Sequence, residues 1–252
     1  MTELFNPLNL ADRKILVTGA SSGIGRATAV YLSKLGATLV LNGRDEKRLL
    51  ETCDSLHGNE HIICRADLKQ EQLDSIFDDA ISDGKKLNGI VYCAGVPYVL
   101  PLRALSKKRM SEVMEVNLYP FIELCRLYAK KKYSCGGSIV CVSSITSVQP
   151  RAYETGYIVS KGAMNAAVSS LAFELAEHNI RINGILAGNI MTEMVHKTFS
   201  ELNNADHLTQ MENKALLGIG QPADIASVAA FLISDMSRFI TGRLIYADGG
   251  FF

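Results

Sequence analysis

Tyr157-Ile-Val-Ser-Lys161 follows Ser144 and lies downstream of Thr18-Gly-Ala-Ser-Ser-Gly-Ile-Gly25 in this 252-residue chain. Side chains four apart on a helix share a face, so Tyr157 and Lys161 can act together. A free tyrosine titrates near pH ~10 and is a poor base at neutrality. A cation about 4 Å away, at an effective dielectric near 20, favours the phenolate by roughly 4 kcal/mol, about three pH units. Ser144, at a strand end, is placed to hold a substrate oxygen by a hydrogen bond. The glycine segment adds a second capacity. Glycines let the backbone approach a pyrophosphate, and a helix N-terminus offers unpaired N–H groups and a favourable dipole. Its spacing is G-x-x-x-G-x-G rather than G-x-G-x-x-G, a weak pattern alone but one standing at a strand-to-helix junction. Together the two segments fit hydride transfer between a nicotinamide and a carbonyl or alcohol.

The chain also contains a decoy. Tyr128 and Lys132 have the same spacing, and an exposed helical Tyr–Lys pair is the ordinary meaning of that pattern. Tyr157 differs in having Ser144-Ile-Thr-Ser upstream and Asn-Gly-Ile downstream, on the strand edge where open α/β sheets bind ligands.

The elements that must position these residues follow from apolar patterning. Runs at 15–17, 39–41, 61–64, 90–92, 139–142, 182–186 and 244–246 lack polar alternation, as strands covered on both faces do. Helical patterns fall at 24–35, 45–56, 70–81, 106–132, 153–178 and 222–232. This alternation predicts one α/β domain over 1–252, a doubly wound parallel sheet (a Rossmann fold) with helices on both faces and right-handed crossovers. The Met-rich segment at about 188–217 breaks the alternation and is expected to form a helical flap over the site.

Composition narrows the classes. Lys+Arg and Asp+Glu are both 26, so nothing points to nucleic acid. No apolar run is long enough to span a bilayer. The first ten residues carry Glu3 and no basic region, unlike a signal peptide. Six cysteines without a CxxC pair read as reduced, mostly buried thiols, which fits a cytoplasmic setting. No metal site is expected.

With these motifs in order, the chain resembles a short-chain dehydrogenase/reductase of the single-domain type from about Asp12 to Gly250. The glycine motif matches Thr18 to Gly25. The adenine-contacting acid matches Asp67 in Ala66-Asp-Leu68, and Asn-Asn-Ala-Gly falls on Tyr92-Cys-Ala-Gly95. The active-site asparagine matches Asn117, the serine Ser144, and the Tyr/Lys pair Tyr157 and Lys161. The C-terminal segments Phe239-Ile-Thr-Gly242 and Asp248-Gly-Gly250 are also similar.

The resemblance implies roles. Tyr157 is the general acid/base, and Lys161 binds the nicotinamide ribose and lowers the tyrosine pKa. Ser144 polarises the substrate oxygen, and Asn117 holds a water linking Lys161 to solvent. Cofactor contacts are implied for Gly19, Ser21, Ser22, Gly23, Ile24, Gly25, Arg44, Asp67, Leu68, Ala94, Gly95, Ile190 and Thr192, besides Tyr157 and Lys161. NAD-preferring members place an acid at the end of the second strand. Here Asn42-Gly43-Arg44 puts glycine there with an arginine beside it, which implies NADP(H) over NAD(H). Asp45 is better placed as an N-cap.

Two departures stand out. The family's Pro-Gly after the sixth strand is Ala187-Gly188, which predicts a looser loop. Tyr92 and Cys93 replace two asparagines, removing their side-chain hydrogen bonds, and Cys93 reads as a buried thiol beside the cofactor.

The substrate is a small carbonyl or alcohol. Tyr98, Tyr153, Met191 and Met194 predict an apolar pocket with phenolic handles, suited to an acyl chain, a ring ketone or a sugar. The tail 217–225 is similar to that of 3-oxoacyl-[acyl-carrier-protein] reductases, and Lys130-Lys-Lys132 is either a basic patch for an acidic carrier or a solvated helix end. A non-catalytic nucleotide sensor or scaffold is the alternative from another class. A dehydratase or epimerase is disfavoured by the absence of residues beyond Phe252 for a substrate domain. Small apolar residues such as Ala163, Ala166, Ala167 and Leu171 predict a homotetramer or homodimer.

Overall fold

In the computed structural model, residues 6–69, 72–193, 195 and 214–251 are described. Seven strands form one parallel sheet in the order β3-β2-β1-β4-β5-β6-β7. These are β1 (Lys14–Thr18), β2 (Thr38–Gly43), β3 (Ile62–Arg65), β4 (Leu87–Tyr92), β5 (Ser134–Ser144), β6 (Ile180–Ala187) and β7 (Arg243–Ala247). The helices are α1 (Gly23–Lys34), α2 (Glu46–Asp54), α3 (Asp74–Ala80), α4 (Lys107–Asn117), α5 (Tyr119–Tyr128), α6 (Thr155–Ala176) and α7 (Pro222–Ile233).

Successive strand residues point to opposite faces, and both faces are apolar. Leu16, Val40, Ile90, Ile139 and Ile182 join one core with α3 to α6. Ile15, Val17, Leu39, Val91 and Ile185 join the other with α1, α2 and α7. That two-sided burial is why the strands read as unbroken apolar runs. Chain order reverses between β1 and β4, which opens a crevice at the carboxyl edge of the sheet. Thr18, Tyr92, Ser144 and Ala187 all end strands at that edge.

The expected helix over 106–132 is two helices. Pro120 stands in the first turn of α5 and has no N–H to donate to the carbonyl four residues back, that of Val116. The chain breaks at Leu118 (φ −119°, ψ −56°), and the Tyr92 hydroxyl donates to Val116 O instead, at 3.0 Å. Tyr92 therefore replaces the lost asparagine bond with one of its own, and Asn117 ends α4 at the break rather than lying inside a helix.

The decoy pair is also rearranged. Tyr128 is fully buried at the end of α5 and donates to Gly136 O at 2.9 Å. Lys132 lies beyond that helix and pairs with Asp78 at 2.5 Å. The expected exposed helical pair is thus a core tyrosine and an unrelated surface lysine. Of the flap at 188–217, residues 194 and 196–213 lie outside those described.

Candidate active site

The carboxyl-edge crevice is a cleft of about 520 Å³, within the usual range for small-molecule sites. Its walls include Gly19, Ser21 to Gly25, Arg44, Asp67, Leu68, Ala94, Gly95, Ser144, Tyr157, Lys161, Ile190 and Thr192. Asn117 stands behind the wall, fully buried.

One end of the cleft is a backbone cradle. A Cβ on Gly25 would lie 2.1 Å from Gly19 O, and one on Gly19 would lie 3.0 Å from Ala94 N. Gly19 and Gly23 have φ of 64° and 51°, a region that favours glycine. Asp45 caps α2 by accepting from Arg48 N at 3.1 Å, as expected, and Ser106 caps α4. The Ser22 side chain makes no such bond at the start of α1, so the first-turn N–H groups stay available to an anion. The Thr18 hydroxyl accepts from Cys93 N and Ala94 N, both at 3.2 Å, tying the cradle to β4. These residues fit a dinucleotide pyrophosphate.

At the other end, Ser144 Oγ lies 3.0 Å from Thr146 Oγ1 and accepts from Thr146 N at 3.2 Å. Burial raises the Tyr157 pKa, while a hydrogen bond with Ser144 lowers it. Lys161 is 4% exposed, and burial brings it down to about 8. Its Nζ donates to Val142 O at 2.8 Å and lies 5.9 Å from the Tyr157 ring centroid. The sequence suggests a depressed tyrosine pKa; burial instead holds Tyr157 above its ordinary value. The ammonium is held by a strand carbonyl, and desolvation of the phenol prevails.

Asn117 Oδ1 accepts from Val96 N at 2.9 Å, and its Nδ2 donates to Val96 O at 3.2 Å and Ser160 Oγ at 3.0 Å. It clamps the loop after β4 to α6. Asn117 Oδ1 and Lys161 Nζ each lie 3.4 Å from where a Cβ on Gly95 would sit, so the two side chains meet over that glycine. Cys93, expected to be buried, is half-buried and lines the cleft, and desolvation pushes its thiol up to about 12.

The loop after β6 is pinned, not loose. Gly188 N donates to Ala247 O at 3.0 Å, and Asn189 and Met191 pair with Gly220. Backbone pairing supplies the order that a proline would have given. Of the four residues expected around the substrate, Tyr98 lines the cleft and Tyr153 is 61% exposed. Met191 is not among the lining residues, and Met194 lies outside those described.

Several residues had no signal in the sequence. Glu193 lines the cleft and pairs with Arg48 of α2 and with Arg26 of α1, the latter at 3.7 Å. Arg65 donates to Arg44 O at 3.4 Å. Arg151 and Glu154 reach the cleft from the segment joining β5 to α6.

A family model described as enoyl-(acyl carrier protein) reductase matches residues 19–252. The chain is a short-chain dehydrogenase/reductase. Glucose 1-dehydrogenase of Gluconobacter oxydans is 32% identical over 95% of this chain and 92% of its own. The 3-oxoacyl-[acyl-carrier-protein] reductase of Rickettsia felis is 31% identical over 96% of this chain and 98% of its own. A solved 7α-hydroxysteroid dehydrogenase, complexed with NADH and 7-oxo glycochenodeoxycholic acid, superposes with a TM-score of 0.90 at 29% identity, covering 98% of each chain. This short-chain dehydrogenase/reductase is thus an NAD(P)-dependent oxidoreductase acting on carbonyl or alcohol groups, not a nucleotide-binding scaffold.

Proposed function

We propose that the protein interconverts a carbonyl and a secondary alcohol with NADP(H), using Tyr157 as the general acid/base. The observation that carries this reading is the meeting of Ser144, Tyr157 and Lys161 on one wall of the cleft whose other end is the uncapped start of α1. A bound nicotinamide supplies or accepts the hydride. Ser144 Oγ donates to the substrate oxygen and orients it toward Tyr157. The Tyr157 hydroxyl gives up its proton as negative charge develops on that oxygen, or takes one in the reverse direction. Burial holds the proton on Tyr157 until that charge forms. Lys161, when charged, stabilises the phenolate left behind, and its carbonyl partner fixes where the charge resides. Asn117 acts as a positioning residue by fixing Val96, next to the Gly95 that Lys161 Nζ approaches. NADPH oxidation with a panel of ketones tests the reading: the wild type turns over, and Tyr157→Phe binds NADPH but does not. Equal turnover in the variant overturns it.

NADP(H) preference is supported by Arg44, which borders the cleft and has no ion pair among the described residues. Asp45 is occupied in capping α2, and Glu46 is paired with Arg65 at 3.5 Å. A charge-assisted pair of about 1.5–3 kcal/mol implies roughly ten- to hundredfold preference. Gly43→Asp with Arg44→Ala is expected to reverse the ratio of kcat/KM values. A Cβ at Gly43 meets the buried Leu49 side chain at 3.2 Å, so circular dichroism of the variant accompanies the kinetics. A ratio near one in the wild type removes this role for Arg44.

Docking of an acyl carrier protein has less support. Lys130 and Lys132 pair with Asp74 and Asp78, so the triple-lysine segment is largely neutralised. A homodimer or homotetramer is supported by apolar exposure on α6, with Phe173 84% and Val159 46% exposed. Ala163, Ala167 and Leu171, expected at a subunit contact, pack partly against the chain's own core. Light scattering at micromolar concentration checks this, and a stable monomer counts against it.

A further inference from the structure

Arg151 is built into the cleft wall beside the chemistry and is not used by it. A terminal nitrogen donates to Asn189 Oδ1 at 2.9 Å, and the guanidinium carbon lies 5.2 Å from the Phe251 ring centroid. The planar group is thereby held from the loop after β6 and from the C-terminal segment. Its Nε–H is buried and has no acceptor among the described residues. Nor does Arg151 belong to any ion pair among them. The buried Nε–H is out of a ligand's reach, so a carboxylate in the cleft meets the terminal N–H groups of the guanidinium through charge-assisted hydrogen bonds. A neutral carbonyl forms only weaker, uncharged bonds there.

Position selects the ligand. Arg151 follows Ser144 and Thr146 on the connection into α6, whereas the pyrophosphate cradle is made by the loop after β1. Its charge acts on Tyr157, opposing the effect of Glu154. Glu154 lines the same cleft and repels an anion placed at Tyr157 itself, so a substrate carboxylate is driven to the Arg151 side. Tyr98, Val99 and Ile145 supply apolar wall, where a charge-assisted pair is less screened than in water.

We propose that Arg151 anchors a carboxylate of the substrate, so that the enzyme acts on oxo acids and hydroxy acids in preference to neutral ketones and alcohols. This rests on the oxidoreductase reading above and names its substrate class.

The test is NADPH-dependent reduction of straight-chain 2-oxo to 6-oxo acids, each beside its methyl ester, by the wild type, Arg151→Gln and Arg151→Lys. At least one acid is expected to exceed its ester in kcat/KM by roughly ten- to hundredfold, the scale of one charge-assisted pair. Arg151→Gln should collapse that ratio through KM rather than kcat, and Arg151→Lys should restore part of it. Esters matching or exceeding acids throughout the series overturn the proposal. So does Arg151→Gln lowering acids and esters alike, the mark of a merely structural arginine. If neither acids nor esters are reduced, the oxidoreductase reading fails for these compounds, and the anchor is decided separately. Fluorescence titration of the NADPH complex with the acids then supports it if binding saturates and weakens tenfold in Arg151→Gln. Absence of binding overturns it.

Discussion

Tyr157 and Lys161 fall within the first two turns of α6 and stay on one face of it, whereas Tyr128 ends α5 and Lys132 lies beyond that helix. Both tyrosines are raised by burial. One hydroxyl bonds to Gly136 O inside the core, and the other reaches a cleft beside Ser144. The lysines diverge further. Lys161 is buried and brought down to about 8, while Lys132 is raised by its hydrogen bond to Asp78. Four-residue spacing makes a working pair only where the helix continues through both positions and a strand end faces them.

Exchanging the roles of the two tyrosines gives the largest expected effect. Tyr157→Phe should lower kcat at least about a hundredfold, the usual scale for a general acid/base. Tyr128→Phe should leave kcat within twofold. Similar losses in both would end the distinction.

The lysines sharpen the comparison through pH. With a folded value of about 8 against 10.5, Lys161 binds more protons unfolded than folded between those limits. Stability from this group therefore rises with pH across that window, by about 3 kcal/mol in all. Lys132 has the opposite sign. Its raised value contributes stability that is full below the ordinary lysine value and lost as pH climbs through the folded one. Thermal melts of the unliganded protein from pH 7.5 to 10.5 should show the wild type gaining on Lys161→Met, while Lys132→Met tracks the wild type. Parallel curves for Lys161→Met would show that its ammonium is not desolvated.

A smaller effect is expected from Tyr128→Phe on stability alone. Removing the donor takes a hydrogen bond from the partly buried Gly136 carbonyl, costing about 0.5–1.5 kcal/mol. A loss in Tm with kinetics intact confirms a purely structural tyrosine, and an unchanged Tm would place that hydroxyl in contact with water.

The sheet was legible because its strands are apolar on both faces, leaving Leu16-Val17 or Ile139-Val140 as uninterrupted runs. Where packing is not apolar, the ends were missed. β5 begins at Ser134, five residues before its apolar run, because Gly136 and Gly137 carry it past Asn179 and Asn88 with φ of 111° and 129°. The break at Leu118 was written in Pro120, but the apolar pattern continues across it and hides the stop. Cleft residues carried by local motifs could be read from Thr18 to Gly25 and from Tyr157 to Lys161. Arg151 and Glu193 could not, since their partners lie 38 and 145 residues away and no local motif surrounds either.

Tyr92 and Pro120 constrain each other's history. Each is harmless only in the other's company, because one withholds the proton that the other delivers to Val116 O. Replacing Tyr92 first leaves that carbonyl without its donor. Replacing Pro120 first restores a main-chain donor and frees Tyr92 to drift. The two positions are therefore coupled: Tyr92→Phe leaves the Val116 carbonyl without its donor, and adding Pro120→Ala supplies a main-chain one.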